Sequence, residues 1–262
     1  MLMDLLIIFF IIIMAIVANK GQSLSRSGAI AATVVGGLIY QGLYLQGLLI
    51  LGTFFCTSSF WSFYKSKLKK DLEEKHEKGS KRDWIQVFAN GGVAALSSLL
   101  YYFTNDVIWV IAFLTSLASA TGDTWSSEIG PLSKRPPLSV KSFKVVEAGT
   151  SGAISTLGTI SAIVGVGVIT IVGMYVLPIT AKMAWIIFVF GILGNGIDTY
   201  LGAYFQRTYQ CRICLLDTEK PIHCNEKARK IGGSTLLNND GVNFLAGLFA
   251  PIFAILTYQI LL

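Results

Sequence analysis

Lys and Arg fall in alternate connections between the apolar stretches of this chain. Hydropathy places eight apolar spans near residues 3–18, 27–41, 43–63, 86–103, 106–121, 151–177, 183–204 and 241–261. The first connection holds Lys20 and Arg26, and the third holds eight basic residues from Lys65 to Arg82. The fifth holds Lys134, Arg135, Lys141 and Lys144, and the seventh six from Arg207 to Lys230. Of the 21 basic residues only Lys182 lies in another connection. Positive charge flanking a span is retained in the cytoplasm. The pattern predicts an all-α, polytopic membrane helix bundle of about eight spans. Residues 1–262 form a single integral membrane domain with both termini outside. The charged loop 64–85 and the loop 206–238 face the cytoplasm.

Bulk composition agrees. The 262 residues are 53% hydrophobic and 14% charged, more apolar surface than a soluble domain of this size buries. Several spans approach the ~20 residues that cross a bilayer core. The first has Asp4 as its only early charge and no small-residue cleavage site, so a retained helix is expected. A net charge of +6 and a pI near 9.1 would suggest nucleic acid in a soluble protein. Here they follow from topology and contact with anionic head groups, and no nucleic-acid partner is expected.

Two ordered matches suggest an internal duplication, with halves near 1–103 and 106–262. Ser27-Gly28-Ala29-Ile30 at the second span matches Ser151-Gly152-Ala153-Ile154 at the sixth. Asn90-Gly91-Gly92-Val93 at the fourth matches Asn239-Asp240-Gly241-Val242 at the eighth. Four spans per half would make the repeats parallel, with sites favoured at their interface. The competing explanation is shared Gly- and Ser-rich composition.

Those same segments open the even-numbered spans on the cytoplasmic side. A helix start offers free backbone N–H groups and a positive dipole end. Glycine lets an anion approach, and Ser or Thr adds donors. Ser27, Gly28, Asn90, Gly149, Thr150, Ser151, Gly152 and Asn239 are therefore candidate phosphate-binding positions, against simple N-capping. The acids are more specific. Asp198 lies inside an apolar span, where an unpaired carboxylate costs several kcal/mol and marks a functional candidate. Asp123 and Glu128 sit where span five is expected to meet the cytoplasm, and Asp240 is expected to cap span eight. Asn239 and Asn243, four apart, share a helix face. A few carboxylates beside phosphate-binding groups suit Mg²⁺, here through Asp123, Asp198 and Asp240; a structural polar network is the competing reading.

In the basic loops, Arg135 and Lys141 follow Glu128 in a stretch broken by Pro131, Pro136 and Pro137, and could neutralise nucleotide phosphates. The Lys65–Arg82 stretch mixes both signs at helical spacing, as a solvated helix does, and is assigned no chemistry. Cys211-x2-Cys214 with His223-Cys224 offers four ligands for a structural Zn²⁺ in a reducing compartment, although adjacent His223 and Cys224 make an awkward pair. Unliganded thiols are the alternative.

Together, Ser27-Gly28-Ala29, Gly122 to Gly130, Gly149 to Gly152, Asp198-Thr199 with Gly202 and Gln206, and Asn239-Asp240-x-Val242-Asn243 resemble the phytyl-phosphate kinase family of membrane proteins, from about Asn19 to Leu248. That resemblance implies transfer of a phosphoryl group from a nucleoside triphosphate, CTP favoured, to an isoprenyl monophosphate such as phytyl phosphate. Asp123, Asp198, Asp240 and Glu128 would be catalytic. The chain lacks a Walker sequence and would not be a P-loop enzyme. A transporter or flippase for a phosphorylated lipid or small anion is the rival reading, since a buried acid and parallel repeats suit it too.

Overall fold

The computed structural model describes residues 2–64 and 74–261. Its helices are α1 (Leu2–Lys20), α2 (Arg26–Phe63), α3 (Trp84–Thr104), α4 (Ile108–Ile129), α5 (Thr156–Val176), α6 (Ala181–Tyr204) and α7 (Asn239–Leu261). Among the described residues six of these, all but α4, are long and apolar enough to cross a membrane.

The helix that falls short is the one most enclosed by protein. Every residue of α4 from Val110 to Gly122 is buried, and the helix packs against α2, α3, α5, α6 and α7. A helix surrounded by other helices can carry Thr115, Ser116, Ser119 and Thr121 on all sides, whereas a lipid-facing one cannot. At the other extreme, α1 buries only Ile11 and Ala15. Its large apolar side chains lie open, as expected of a surface whose solvent is lipid.

At 38 residues, α2 would run ~57 Å if straight, far beyond a ~30 Å hydrocarbon core. It reverses instead. Tyr44 has φ 49° and ψ −144°, and a Cβ on Gly47 would lie 2.7 Å from the Ile39 side chain. Residues eight apart in a straight helix stand ~12 Å apart, so the two arms fold back on each other. Gly42 makes the bend possible against α3, because any Cβ there would meet the Ser98 carbonyl at 1.9 Å. The arms match the expected spans 27–41 and 43–63.

Helix starts correct several expectations. Asp83 and Gln86 form a capping box at the start of α3, which puts Asn90 in the second turn and not at the opening. Ser155 caps α5 through Gly158 N at 3.1 Å. Ser151-Gly152-Ala153-Ile154 therefore precedes the helix, and its end forms β2 (Ala153–Ile154), antiparallel to β1 (Leu138–Ser139). That segment is not the structural counterpart of Ser27 to Ile30, which lies within α2. Asn238, not Asp240, caps α7, accepting from Gly241 N at 3.1 Å. Span five runs on to Ile129, so Asp123 and Glu128 lie inside α4.

The connections add small strands to an otherwise helical fold. The 206–238 connection builds β3 (Thr208–Gln210), β4 (Asp217–Thr218) and β7 (Arg229–Gly232) in one sheet, with order β4-β3-β7. A hairpin of β5 (Ile222–His223) and β6 (Glu226–Lys227) completes it. In the charged loop, residues 74–83 are turns and bends, not the expected solvated helix; residues 65–73 lie outside the described ones.

Candidate functional site

Described residues of three Lys/Arg-rich connections, together with the helix ends beside them, line a cavity of about 890 Å³, large enough for a nucleotide or a lipid head group. Four helices aim polar stripes into it. On α6, Asn195, Asp198, Thr199 and Gly202 recur at helical spacing and all line the cavity, continued by Gln206 beyond the helix end. On α4 the stripe is Asp123, Thr124, Ser126, Ser127 and Glu128. On α7 it is Asn239, Asp240 and Asn243, and on α3 it is Gln86 and Asn90. Arg135 and Gly149 to Gly152 line it from the α4–α5 connection. Ser27, Gly28 and Lys141 do not. Gly28 serves packing, since a Cβ there would stand 2.2 Å from the Arg82 carbonyl oxygen. Lys141 is exposed on the connection.

Gly149 and Gly152 have φ of 79° and 70°. They form a left-handed turn laid against α6, where a Cβ on Gly152 would meet Ala203 at 2.3 Å. Glycine is demanded here by backbone conformation and close approach, not by a helix start.

Asp123 and Asp198 face each other within hydrogen-bonding reach. Each is oriented by an amide: Asn195 Nδ2 donates to Asp123 Oδ1 at 3.4 Å. Asn243, its amide turned to donate, lies 2.9 Å from Asp198 Oδ2. Among the described residues no cationic side chain pairs with either acid. Two carboxylates so placed share a proton or hold a cation between them. Asp240, only 4% exposed, has a different partner: Lys78 Nζ sits 2.5 Å from its Oδ2 and 2.7 Å from Asp83 Oδ2. The expected trio of aspartates is thus a facing pair plus a third acid neutralised by lysine. Glu128 lies to one side, accepting from Ser62 Oγ at 2.6 Å.

Lys78 is the chief residue that sequence reasoning missed. Burial alone would pull its ammonium down, but hydrogen bonds to Asp240 and Asp83 outweigh that and hold it above the ordinary lysine value. The only signal in the chain was Gly79-Ser80 directly after it, which breaks the helical periodicity of the charged stretch. Arg82 also reaches the cavity, donating to Ser59 Oγ at 2.9 Å.

Residues 74–78 are bound to the 206–238 connection. Thr218 Oγ1 donates to the Lys75 carbonyl at 2.9 Å, and Glu219 N does so at 2.8 Å. Glu219 accepts from Gln206 at 2.7 Å and from Glu77 N at 3.2 Å. Arg207 clasps both Glu77 oxygens at 2.6 and 2.8 Å. His76 Nδ1 lies 3.5 Å from Glu219 Oε1. Burial would lower His76, yet the hydrogen bond and charge of Glu219 prevail and raise it. A raised folded-state value favours the imidazolium. Its contribution to holding this segment is complete below about pH 6.5 and fades as pH climbs through the raised value. Amide protection factors across residues 74–80, corrected for intrinsic exchange, should therefore fall as pH rises above about 6.5. His76→Gln should flatten that dependence; an unchanged slope would remove His76 from this role.

The cysteine cluster lies beyond this contact. Cys211, Cys214, His223 and Cys224 bring their ligand atoms within 4.8 Å of one another. The Cys214 backbone N–H holds the Cys211 thiol down at about 6, while the hydrogen bond with Cys214 keeps Cys224 up at about 11.

Comparison with known proteins follows the same outline. A family model described as integral membrane protein DUF92 matches residues 9–251. Protein PGR of Arabidopsis thaliana is 28% identical over 92% of this chain and 92% of its own length. An uncharacterized membrane protein of Methanocaldococcus jannaschii is 29% identical over 96% of this chain and 92% of its own. Protein VTE6, chloroplastic, of Arabidopsis thaliana is 27% identical over 91% of this chain and 66% of its own. No solved structure matches.

Proposed function

The chain belongs to the DUF92 family of integral membrane proteins, and from that premise we propose that it is a lipid-phosphate kinase working at the cytoplasmic membrane surface. Its substrate would be an isoprenyl monophosphate, and its donor a nucleoside triphosphate, with CTP favoured. The observation that carries this is the pair Asp123–Asp198, without a cationic partner among the described residues, which faces a cavity rimmed by Lys78, Arg82 and Arg135. The resemblance to the phytyl-phosphate kinase family rests on the same residues.

In this reading the two arms of α2 cross the membrane separately, giving eight crossings with both termini outside. The cavity then lies on the cytoplasmic side, in keeping with the placement of Lys and Arg. The prenyl chain lies among the helices and its phosphate enters the cavity. An oxygen of that monophosphate bonds to the γ-phosphorus, the bond from the γ-phosphorus to the β–γ bridging oxygen breaks, and the nucleoside diphosphate leaves with the bridging oxygen and its electron pair. No proton needs to be removed from an ionised phosphate, so the chain's work is positioning and charge compensation. Asp123 and Asp198 would hold Mg²⁺, a cation that takes one or two carboxylates and completes its shell with substrate phosphates and water. When bound, it would neutralise the β- and γ-oxygens. Asn195 and Asn243 hold the two carboxylates in register. Lys78, Arg82 and Arg135 face the phosphates as cations, and Asn90 and the Gly149–Gly152 turn are placed to donate to them.

The transporter reading needs a polar route to both faces. The polar stripes described above gather at one end, and α4 is buried and mainly apolar from Val110 to Leu114. Purified protein given labelled CTP or ATP and a panel of prenyl monophosphates should form the diphosphate. Liposome transport of prenyl phosphate without any diphosphate formation would replace this proposal with its rival.

A further inference from the structure

The cysteine cluster has no part in the chemistry proposed above, and its geometry is that of a metal knuckle. Around tetrahedral zinc, bond lengths of ~2.3 Å to sulfur and ~2.05 Å to nitrogen separate two sulfurs by about 3.8 Å and sulfur from nitrogen by about 3.6 Å. Here Cys214 Sγ and Cys224 Sγ are 3.8 Å apart. His223 Nδ1 lies 3.5 Å from Cys214 Sγ and 3.3 Å from Cys224 Sγ. Three edges of the tetrahedron are already drawn.

The backbone is bent to achieve this. Cys224 and Asn225 have φ of 51° and 60°, a two-residue turn between β5 and β6. That turn swings the Cys224 thiol back beside His223, and it resolves the difficulty of adjacent ligands. Leu215 is held at φ 62°, which a bulky side chain rarely adopts, at the close of the Cys-x-x-Cys turn. Ile213 N donates to Cys211 Sγ at 3.4 Å, the kind of outer hydrogen bond that orients a metal-bound thiolate. Cys211 is buried while Cys214 and Cys224 are exposed, so a metal could enter from solvent.

The geometry points to a structural zinc held by Cys211, Cys214, His223 and Cys224, which fixes the knuckle that anchors residues 74–78 over the cavity. Four protein ligands leave no open position, so the ion does no chemistry on substrate. Each ligating thiol gives up its proton to solvent as the metal binds. The mechanical link is short. The Cys-x-x-Cys turn runs directly into β4, whose Thr218 holds the Glu74 and Lys75 carbonyls at 3.2 and 2.9 Å. From there the chain passes to Lys78.

Elemental analysis of the full-length protein, purified in detergent under reducing conditions, should find about one zinc per chain. Cys214→Ser and Cys224→Ser should each lose it, Cys56→Ser should keep it, and His223→Cys, which preserves four ligands, should keep it too. In the wild-type protein, chelation should raise amide exchange across residues 208–232 and also across 74–80, leaving α4 and α6 protected. That last measurement needs no variant to fold and no substrate. Four free thiols with no zinc after metal supplementation would overturn the inference, as would a Cys214–Cys224 disulfide, or zinc retained in both serine variants. Exchange unchanged at 74–80 on metal loss would overturn the anchoring role.

Discussion

Asp123→Asn and Asp198→Asn should each lower turnover by about a thousandfold or more, roughly 4 kcal/mol of transition-state stabilisation, with folded protein recovered in normal amount. Either change leaves an amide of nearly the same shape in the cavity wall but halves the negative charge that draws a divalent cation. The fold should tolerate this, because removing one of two facing carboxylates relieves a repulsion. Neither acid has a cationic partner among the described residues that would be stranded. The double variant should be scarcely worse than either single one, since the pair acts as a unit. Raising Mg²⁺ should recover part of the single-variant activity. Wild-type rates in both variants would remove the pair from the catalytic site, and a loss that tracks with unfolding would make its role structural.

Lys78→Met is expected to damage both stability and catalysis, and the two effects can be separated. Lys78 bridges two acids, and Asp240 is nearly sealed from solvent. Removing one member of a well-buried pair costs about 3–5 kcal/mol. Lys78 keeps some exposure and faces the cavity, so screening reduces this to roughly 1–3 kcal/mol. Adding Asp240→Asn should restore most of that loss, because no buried charge is then left alone. Turnover should still stand about a hundredfold below wild type, the scale of losing one charge-stabilising donor at a reacting phosphate, with weakened nucleotide binding. A Lys78→Met protein of normal stability and normal nucleotide affinity would show that the lysine neither supports Asp240 nor faces the substrate.

How far the site could be seen from residues alone depends on how each residue advertises itself. Asp198 was visible because a carboxylate within an apolar span has no cheap explanation. Asp123 was visible as an acid near a span end, though its depth was not, since α4 continues past the point where hydropathy falls. A helix wrapped in other helices need not be apolar, and a hydropathy reading stops too soon on it. Gly28 and Gly152 are expected to bind phosphate, but Gly28 lies outside the cavity and packs on Arg82, while Gly152 lines it. The difference was hidden, because a glycine that receives a neighbouring backbone looks the same in sequence as one that receives an anion. Lys78 could not be distinguished from the other lysines of its stretch. Its importance comes from Asp240, 162 residues away, and no local pattern encodes a pairing at that separation. His76 and Glu219 were missed for the same reason.

From the residues alone came the membrane as solvent, the positions of the helical runs and the end of the bundle that bears positive charge. These are properties of composition and local periodicity, set by transfer of side chains between water and lipid. The cysteine and histidine set was likewise legible from spacing. Only the tertiary structure decided that α4 lies at the centre and that Tyr44 is where α2 turns. It alone drew Asp123 and Asp198 together while Asp240 turned to Lys78, and it tied residues 74–78 to the connection that carries the cysteine knuckle. Those outcomes depend on helices meeting at particular angles and on charges finding partners across long stretches of chain. Packing and electrostatics act through distance in space, and the order of residues specifies that distance only once the chain has folded.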